Sequence, residues 1–231
     1  GETSRVVGPD HAPPRGDAPV GHRQPAQVPD VAAPVPRQIP LPVLHRGHGR
    51  ERRPTGSVAP VFVKICGITR PADAAAAVEA GADAIGLNFV TGSVRQIDLE
   101  AAEAILAVVP DHVTTVGIFR YLGVDELLAI TGALRLDAAQ LHGDEPPAFT
   151  AAVAAGVQIV IKAVTAGGPA VRTIADHLAR PGDIVMLDAA DPGGGVPFDW
   201  DLVGDLGSQH RILLAGGLHP GNVAEAIRRV R

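Results

Sequence analysis

One cysteine, one methionine, one tryptophan, one tyrosine and five phenylalanines are all that 231 residues contain. A lone cysteine excludes an intrachain disulfide and any thiolate metal cluster, and it fits a reducing cytoplasm. No stretch approaches the roughly 18 apolar residues of a membrane span, and none has the length of a signal-peptide core. The run Ile39–Leu44 is interrupted by Pro40 and Pro42. With so few aromatics, and none set among the N-terminal arginines, a base-stacking surface for nucleic acid is excluded. Also missing are the dinucleotide fingerprint after the first strand, the Gly-x-Ser-x-Gly elbow and any zinc-ligand spacing around His142.

What is present divides unevenly. Twelve of the 21 prolines and four of the nine histidines fall in residues 1–60, and residues 1–57 carry eight arginines against five acids. That local charge of +3, within a total of −5, leaves −8 for the remainder. Pro-x-Pro spacing with few large apolar residues cannot bury enough surface to offset chain entropy. Residues 1–59 are therefore expected to be a disordered Pro/Arg-rich extension. Glu2, Asp10, Asp17 and Asp30 argue against a transit peptide there.

From residue 60 onward short apolar runs alternate with alanine-rich amphipathic segments. Strands are expected at 61–66, 84–89, 113–119, 138–142, 158–164, 183–188 and 211–215. Helices are expected near 72–80, 98–108, 124–133, 146–155, 169–179, 199–206 and 220–230. Pro71, Asp98 and Pro220 mark helix starts. Strict β-α alternation with apolar runs predicts a parallel sheet covered by helices. Polar or glycine residues recur at strand ends: Cys66-Gly67, Gln140-x-His142-Gly143, Lys162, Asp188, Gly216-Gly217. Barrel enzymes build their sites at that end, so the expected fold is a TIM (β/α)8-type barrel over residues 60–231. Only about seven β/α units are found before Arg231, so the barrel is expected to be incomplete, C-terminally truncated, and open at strands one and seven. Such unpaired edges invite a second chain, making a homo-oligomer an expected partner.

Cys66 ends the first strand beside a glycine turn and a helix start, a setting that exposes a thiol and lowers its pKa; core filling is the alternative reading. Lys64, two residues earlier, points the same way and would favour the thiolate. Asp188 ends an apolar strand on the opposite side of the expected mouth, so acid and thiol can address two sides of one molecule; capping the next turn is the alternative. Gly216-Gly217 ahead of a helix offers backbone donors for phosphate, or is a plain tight turn. The loop Pro192-Gly193-Gly194-Gly195 is expected to close over a ligand. Arg95 stands in a loop suited to holding a carboxylate. Gln140 and His142 share one side of strand four, as pocket lining or as a structural pair.

Taken together, Val63-Lys64-Ile65-Cys66-Gly67-Ile68-Thr69, Ala80-Gly81-Ala82-Asp83-Ala84, Ser93-Val94-Arg95, Gln140-Leu141-His142-Gly143-Asp144, Leu187-Asp188, Phe198-Asp199-Trp200 and Leu214-Ala215-Gly216-Gly217-Leu218 resemble the phosphoribosylanthranilate isomerase family of tryptophan synthesis. The resemblance spans about Val61 to Arg231. It implies a cofactor-free Amadori rearrangement of a small phosphosugar-anthranilate substrate, with no metal, nucleic-acid or membrane partner. By resemblance Asp188 matches the general acid, Cys66 the general base, Arg95 the group that meets the anthranilate carboxylate, and Gly216 and Gly217 part of the phosphate cradle. Gln140 and His142 are expected to contact substrate. The family's loop after the general acid reads Gly-Gly-Thr/Ser-Gly where this chain has Pro192-Gly193-Gly194-Gly195, and its eighth strand would lie beyond Arg231. Another phosphosugar enzyme on the same barrel, or a catalytically impaired barrel, are the alternatives.

Overall fold

The computed structural model describes residues 61–189, 195–203 and 206–230. The extension 1–59 and Pro192, Gly193 and Gly194 of the expected closing loop lie outside the described residues. Seven strands follow one another in chain order through a single parallel sheet: β1 (Lys64–Cys66), β2 (Ala84–Asn88), β3 (Thr114–Phe119), β4 (Ala138–Leu141), β5 (Ile159–Thr165), β6 (Ile184–Asp188) and β7 (Ile212–Leu214). Between them run α1 (Pro71–Glu79), α2 (Leu99–Leu106), α3 (Val124–Ala133), α4 (Pro147–Ala154), a 3₁₀ segment (Pro169–His177), a 3₁₀ turn (Trp200–Val203) with α5 (Leu206–Gln209), and finally α6 (Val223–Arg229).

The sheet curls because its two faces are both apolar but differently filled. Ala84, Val116, Ala138, Ile159, Ile161, Ala163, Ile184 and Met186 meet inside the curve, with Phe62, Leu213 and Ala215 packed against them. The alternate residues of the same strands, among them Ala139, Leu141, Val160, Val185 and Leu187, face the helices. Alanines at several inner positions let the strands approach, and each fully buried Ile or Leu on the outer side contributes about 1.5–3 kcal/mol. Phe89 and Phe119 stack with ring centroids 5.4 Å apart, joining the upper ends of β2 and β3. The middle strands are buried along their length, whereas β1 and β7, which do not pair with each other, are half-buried or exposed. Val61, Val63 and Ile65 are about two-fifths exposed on the outer side of β1.

A repeated aspartate fixes the base of the sheet. Asp83 accepts the Val63 N–H at 2.8 Å, Asp137 the Thr115 N–H at 2.7 Å, and Asp183 the Val160 N–H at 3.0 Å. In each case the acid directly precedes an even-numbered strand and holds the backbone of the odd-numbered strand before it. Asp137 also accepts the Thr115 hydroxyl, and Asp183 is capped by the Arg180 guanidinium at 2.9 Å. Asp137 and Asp183 are buried and tolerated there because each is satisfied by donors, whereas Asp83 is exposed.

All seven expected strands are present, shifted at their ends by up to three residues. The helices diverge more. Pro71 occupies the first turn of α1 and the Asp98 side chain accepts the Ala101 N–H at 2.8 Å as the cap of α2. The fifth expected helix is instead 3₁₀, kinked at Thr173 (φ −114°, ψ 20°), since a run of that geometry does not extend far without a break. The sixth is two short pieces. The last helix begins at Val223 rather than near Pro220, because Asn222 folds back: its Oδ1 accepts the His219 N–H at 2.8 Å and its Nδ2 donates to the Gly217 carbonyl at 2.9 Å. Among the described residues no helix is long and apolar enough to cross a membrane.

Candidate active site

A cavity of about 2360 Å³ runs through the inside of the curl and opens where β1 and β7 part. Cys66, Arg95, Gln140, His142, Asp188, Gly216 and Gly217 all line it. The structure therefore brings these seven candidates together, from five strands or the loops that follow them. Alternation explains the aim: Cys66 shares its side of β1 with Lys64, Asp188 shares its side of β6 with Ile184 and Met186, and these are inward positions.

Cys66 is exposed and is followed by Gly67 at φ +76°. That conformation suits glycine, and the Arg95 side chain lies so near that a Cβ at residue 67 would sit 2.5 Å from its Cδ. The Arg95 side chain thus lies across the turn beside the thiol. Its loop is braced from within, with Asn88 Nδ2 donating to Ser93 Oγ at 2.9 Å, the Val90 N–H reaching Asn88 Oδ1 at 2.8 Å, and the Gly92 N–H reaching Gln96 Oε1 at 2.9 Å. Asn88 was missed in the sequence; a polar residue ending an otherwise apolar strand was the available signal.

On the other wall, Asp188 is 7% exposed, and its Oδ1 accepts the Ala189 N–H at 2.8 Å. His142 Nε2 lies 3.3 Å from Asp188 Oδ2, close but without the alignment of a hydrogen bond. Gln140, completely buried, places Nε2 3.0 Å from His142 Nδ1. Gln140 cannot accept through that nitrogen, so Nδ1 is the acceptor and a neutral His142 carries its proton on Nε2, facing Asp188. The pocket-lining and paired readings of Gln140 and His142 both hold in the geometry. Gly216 and Gly217, at φ +81° and +65°, pass close under the start of the β6 loop: a Cβ on Gly216 would stand 2.6 Å from the Ala189 nitrogen and 2.8 Å from Asp188 Oδ1.

Lys162 departs from its expected place. It sits in the middle of β5, three residues before the strand ends at Thr165, and its side chain borders the cavity beside Glu145. Its ammonium pairs with Glu145 at 2.7 Å, both groups being buried. Glu145 escaped notice because one acid in the polar run Gly143-Asp144-Glu145-Pro146 carries no sequence mark of burial. Close by, burial and then the Lys162 charge push the His177 imidazole below the usual histidine range.

The family model for N-(5'-phosphoribosyl)anthranilate (PRA) isomerase matches residues 63–231. The chain belongs to the PRA isomerase family. A PRA isomerase of Myxococcus xanthus (strain DK1622) is 47% identical over 177 residues, covering 74% of this chain and 82% of that protein. The crystal structure of the Thermus thermophilus PRA isomerase superposes with a TM-score of 0.67 at 39% identity, over 73% of this chain and 83% of that one. A PRA isomerase crystallised with reduced 1-(o-carboxyphenylamino)-1-deoxyribulose 5-phosphate gives a TM-score of 0.64 at 37% identity, over 74% and 83%. These solved PRA isomerases place the curled seven-stranded sheet among TIM-type barrels.

Proposed function

We propose that the chain catalyses the Amadori rearrangement of N-(5-phosphoribosyl)anthranilate to 1-(2-carboxyphenylamino)-1-deoxyribulose 5-phosphate, a step of tryptophan synthesis. The observation that carries this reading is that Cys66 on β1 and Asp188 on β6 line the same cavity from different walls. Asp188 gives a proton to the ribose ring oxygen as the bond from that oxygen to C1′ breaks, and the anthranilate nitrogen supplies the electron pair that forms the imine. Cys66 as thiolate then takes the C2′ proton, and the electrons of that C–H bond move to give the enamine. Tautomerisation of the enol oxygen to a ketone returns a proton to C1′. Only protons and internal electron pairs move, so the chemistry calls on no redox cofactor.

Arg95 beside the Cys66 turn is suited to hold the anthranilate carboxylate as a two-pronged donor. Gly216 and Gly217, bare of side chains beneath the Asp188 loop, are suited to let a phosphate approach the backbone. Asn222 anchors that turn through the Gly217 carbonyl. We assign residues 60–231 to the isomerase domain. The reducing cytoplasm suits a chain whose one thiol must stay free. The test is conversion of the phosphoribosyl substrate followed by separation of aldose and ketose forms. Production of the aminoketose that is lost in Cys66 and Asp188 variants is the expected result; no conversion by the intact protein would end the reading.

A further inference from the structure

One buried ion pair has no part in the chemistry above. Lys162 is 2% exposed and Glu145 6%, and with Gly143 they border the cavity beyond His142. Their hydrogen bonds converge on one residue. Glu145 Oε2 accepts the Gly143 N–H at 3.0 Å, while Lys162 donates to the Gly143 carbonyl and, at 2.7 Å, to the same Glu145 oxygen. Both backbone groups of Gly143 are thus held by side chains. The other oxygen, Glu145 Oε1, accepts the Tyr121 N–H at 3.4 Å, where Tyr121 turns through φ +55°. The carboxylate therefore joins the loops that follow β3 and β4 to the middle of β5.

Gly143 is the residue after His142. Apolar residues of similar volume would stabilise this position as well as a buried ion pair does, so stability does not account for the pair. What apolar residues cannot do is hold the N–H and the C=O of one residue, and so the two peptide units flanking it, in fixed directions. We propose that Lys162 and Glu145 form a positioning pair for His142, fixing the backbone beyond it and so the aim of Nε2 at Asp188. Neither residue touches the reacting atoms; they act through Gly143 and His142. The proposal rests on the isomerase reading for its kinetic consequence but not for its structural one.

The test uses the full chain and the double variant Lys162→Met/Glu145→Leu, which removes both charges and leaves no unpaired carboxylate. We expect kcat to fall about tenfold to hundredfold, as for a catalytic group displaced by a fraction of an ångström to one ångström, with KM changed less than about twofold. The ring ¹H–¹⁵N resonances of His142 should shift, although the ring contacts neither substituted side chain. Added to His142→Gln, the double variant should cost little more, because two changes acting through one group are not additive. Unchanged kcat, unshifted His142 resonances, or losses that multiply in the triple variant would each overturn the proposal. If the double variant does not fold, Glu145→Gln is measured for the same readouts with the same criteria. If the parent protein shows no isomerisation, the isomerase reading fails on its own, and the His142 resonances still decide whether the pair positions the ring.

Discussion

His142 Nε2 reaches to within 3.3 Å of Asp188 Oδ2, although His142 follows β4 and Asp188 ends β6, with β5 between them. The inward curl of the sheet makes this approach, since on a flat sheet two strands apart the rings and carboxylates would stand side by side without converging. With the Ala189 N–H on its other oxygen, the Asp188 carboxyl is held from the backbone on one side and faces the His142 ring on the other.

Asp188→Asn keeps the shape of that group and removes its acid. Ring opening should slow, with kcat down about 10²- to 10⁴-fold and KM nearly constant. Steady-state kinetics at saturating substrate check this, and parental turnover would take Asp188 out of the proton transfer.

Cys66 is the only thiol and is exposed, so alkylation of the protein modifies one defined site. Iodoacetamide should abolish turnover, and bound product analogue should slow the labelling. Cys66→Ser should leave the melting temperature within the range of a change of about 0.5 kcal/mol, while kcat falls by about 10²-fold or more. Labelling that proceeds to completion without loss of activity would contradict the assignment.

Gly216→Ala places a methyl group 2.6 Å from the Ala189 nitrogen and 2.8 Å from Asp188 Oδ1, at a backbone φ of +81°. The strain of that φ alone is worth about 1–3 kcal/mol. The variant should melt several degrees lower, and kcat should fall while KM rises, because the contact pushes the acid as well as the phosphate turn. A stable variant with a change in KM only would show that Gly216 and Asp188 are not coupled.

The depressed imidazole of His177 makes stability pH-dependent. Its folded pKa lies below the unfolded value, first because of burial and second because of Lys162, with Asp176 and Glu145 opposing. The unfolded chain therefore binds the proton first as pH falls, so folding weakens from about pH 6.5 downward and is indifferent to this group above about pH 7.5. In His177→Leu the melting temperature should vary less between pH 7 and pH 5 than in the parent. Parallel curves would remove His177 as the cause.

Much of this was legible in the chain. The seven strands announced themselves as apolar runs bounded by glycine and proline, and Cys66, Asp188 and Gly216 were found because a polar or bare residue ends such a run. Arg95 was noticed for its place in a loop on the expected catalytic face, and motif resemblance gave it a role. Lys162 was read as a strand-end residue but stands in the middle of β5, because the apolar run alone does not mark where a strand stops. Its partner Glu145 is seventeen residues away in sequence, and nothing local records a pairing that only the β4–β5 register creates. The 3₁₀ segment was read as an α-helix because its apolar spacing suits either winding, and the backbone break at Thr173 leaves no compositional trace.

The aspartates at positions 83, 137 and 183 have one more implication. Each rivets a strand to its immediate forerunner, β1 to β2, β3 to β4 and β5 to β6, and none reaches across to the next couple. The molecule is thereby laid like courses of brick, with a carboxylate added to the strand ladder inside each course and the ladder unaided by such an acid between courses. Amide exchange at Val63, Thr115 and Val160 would be governed couple by couple, and damage to one rivet would loosen its own course before its neighbours.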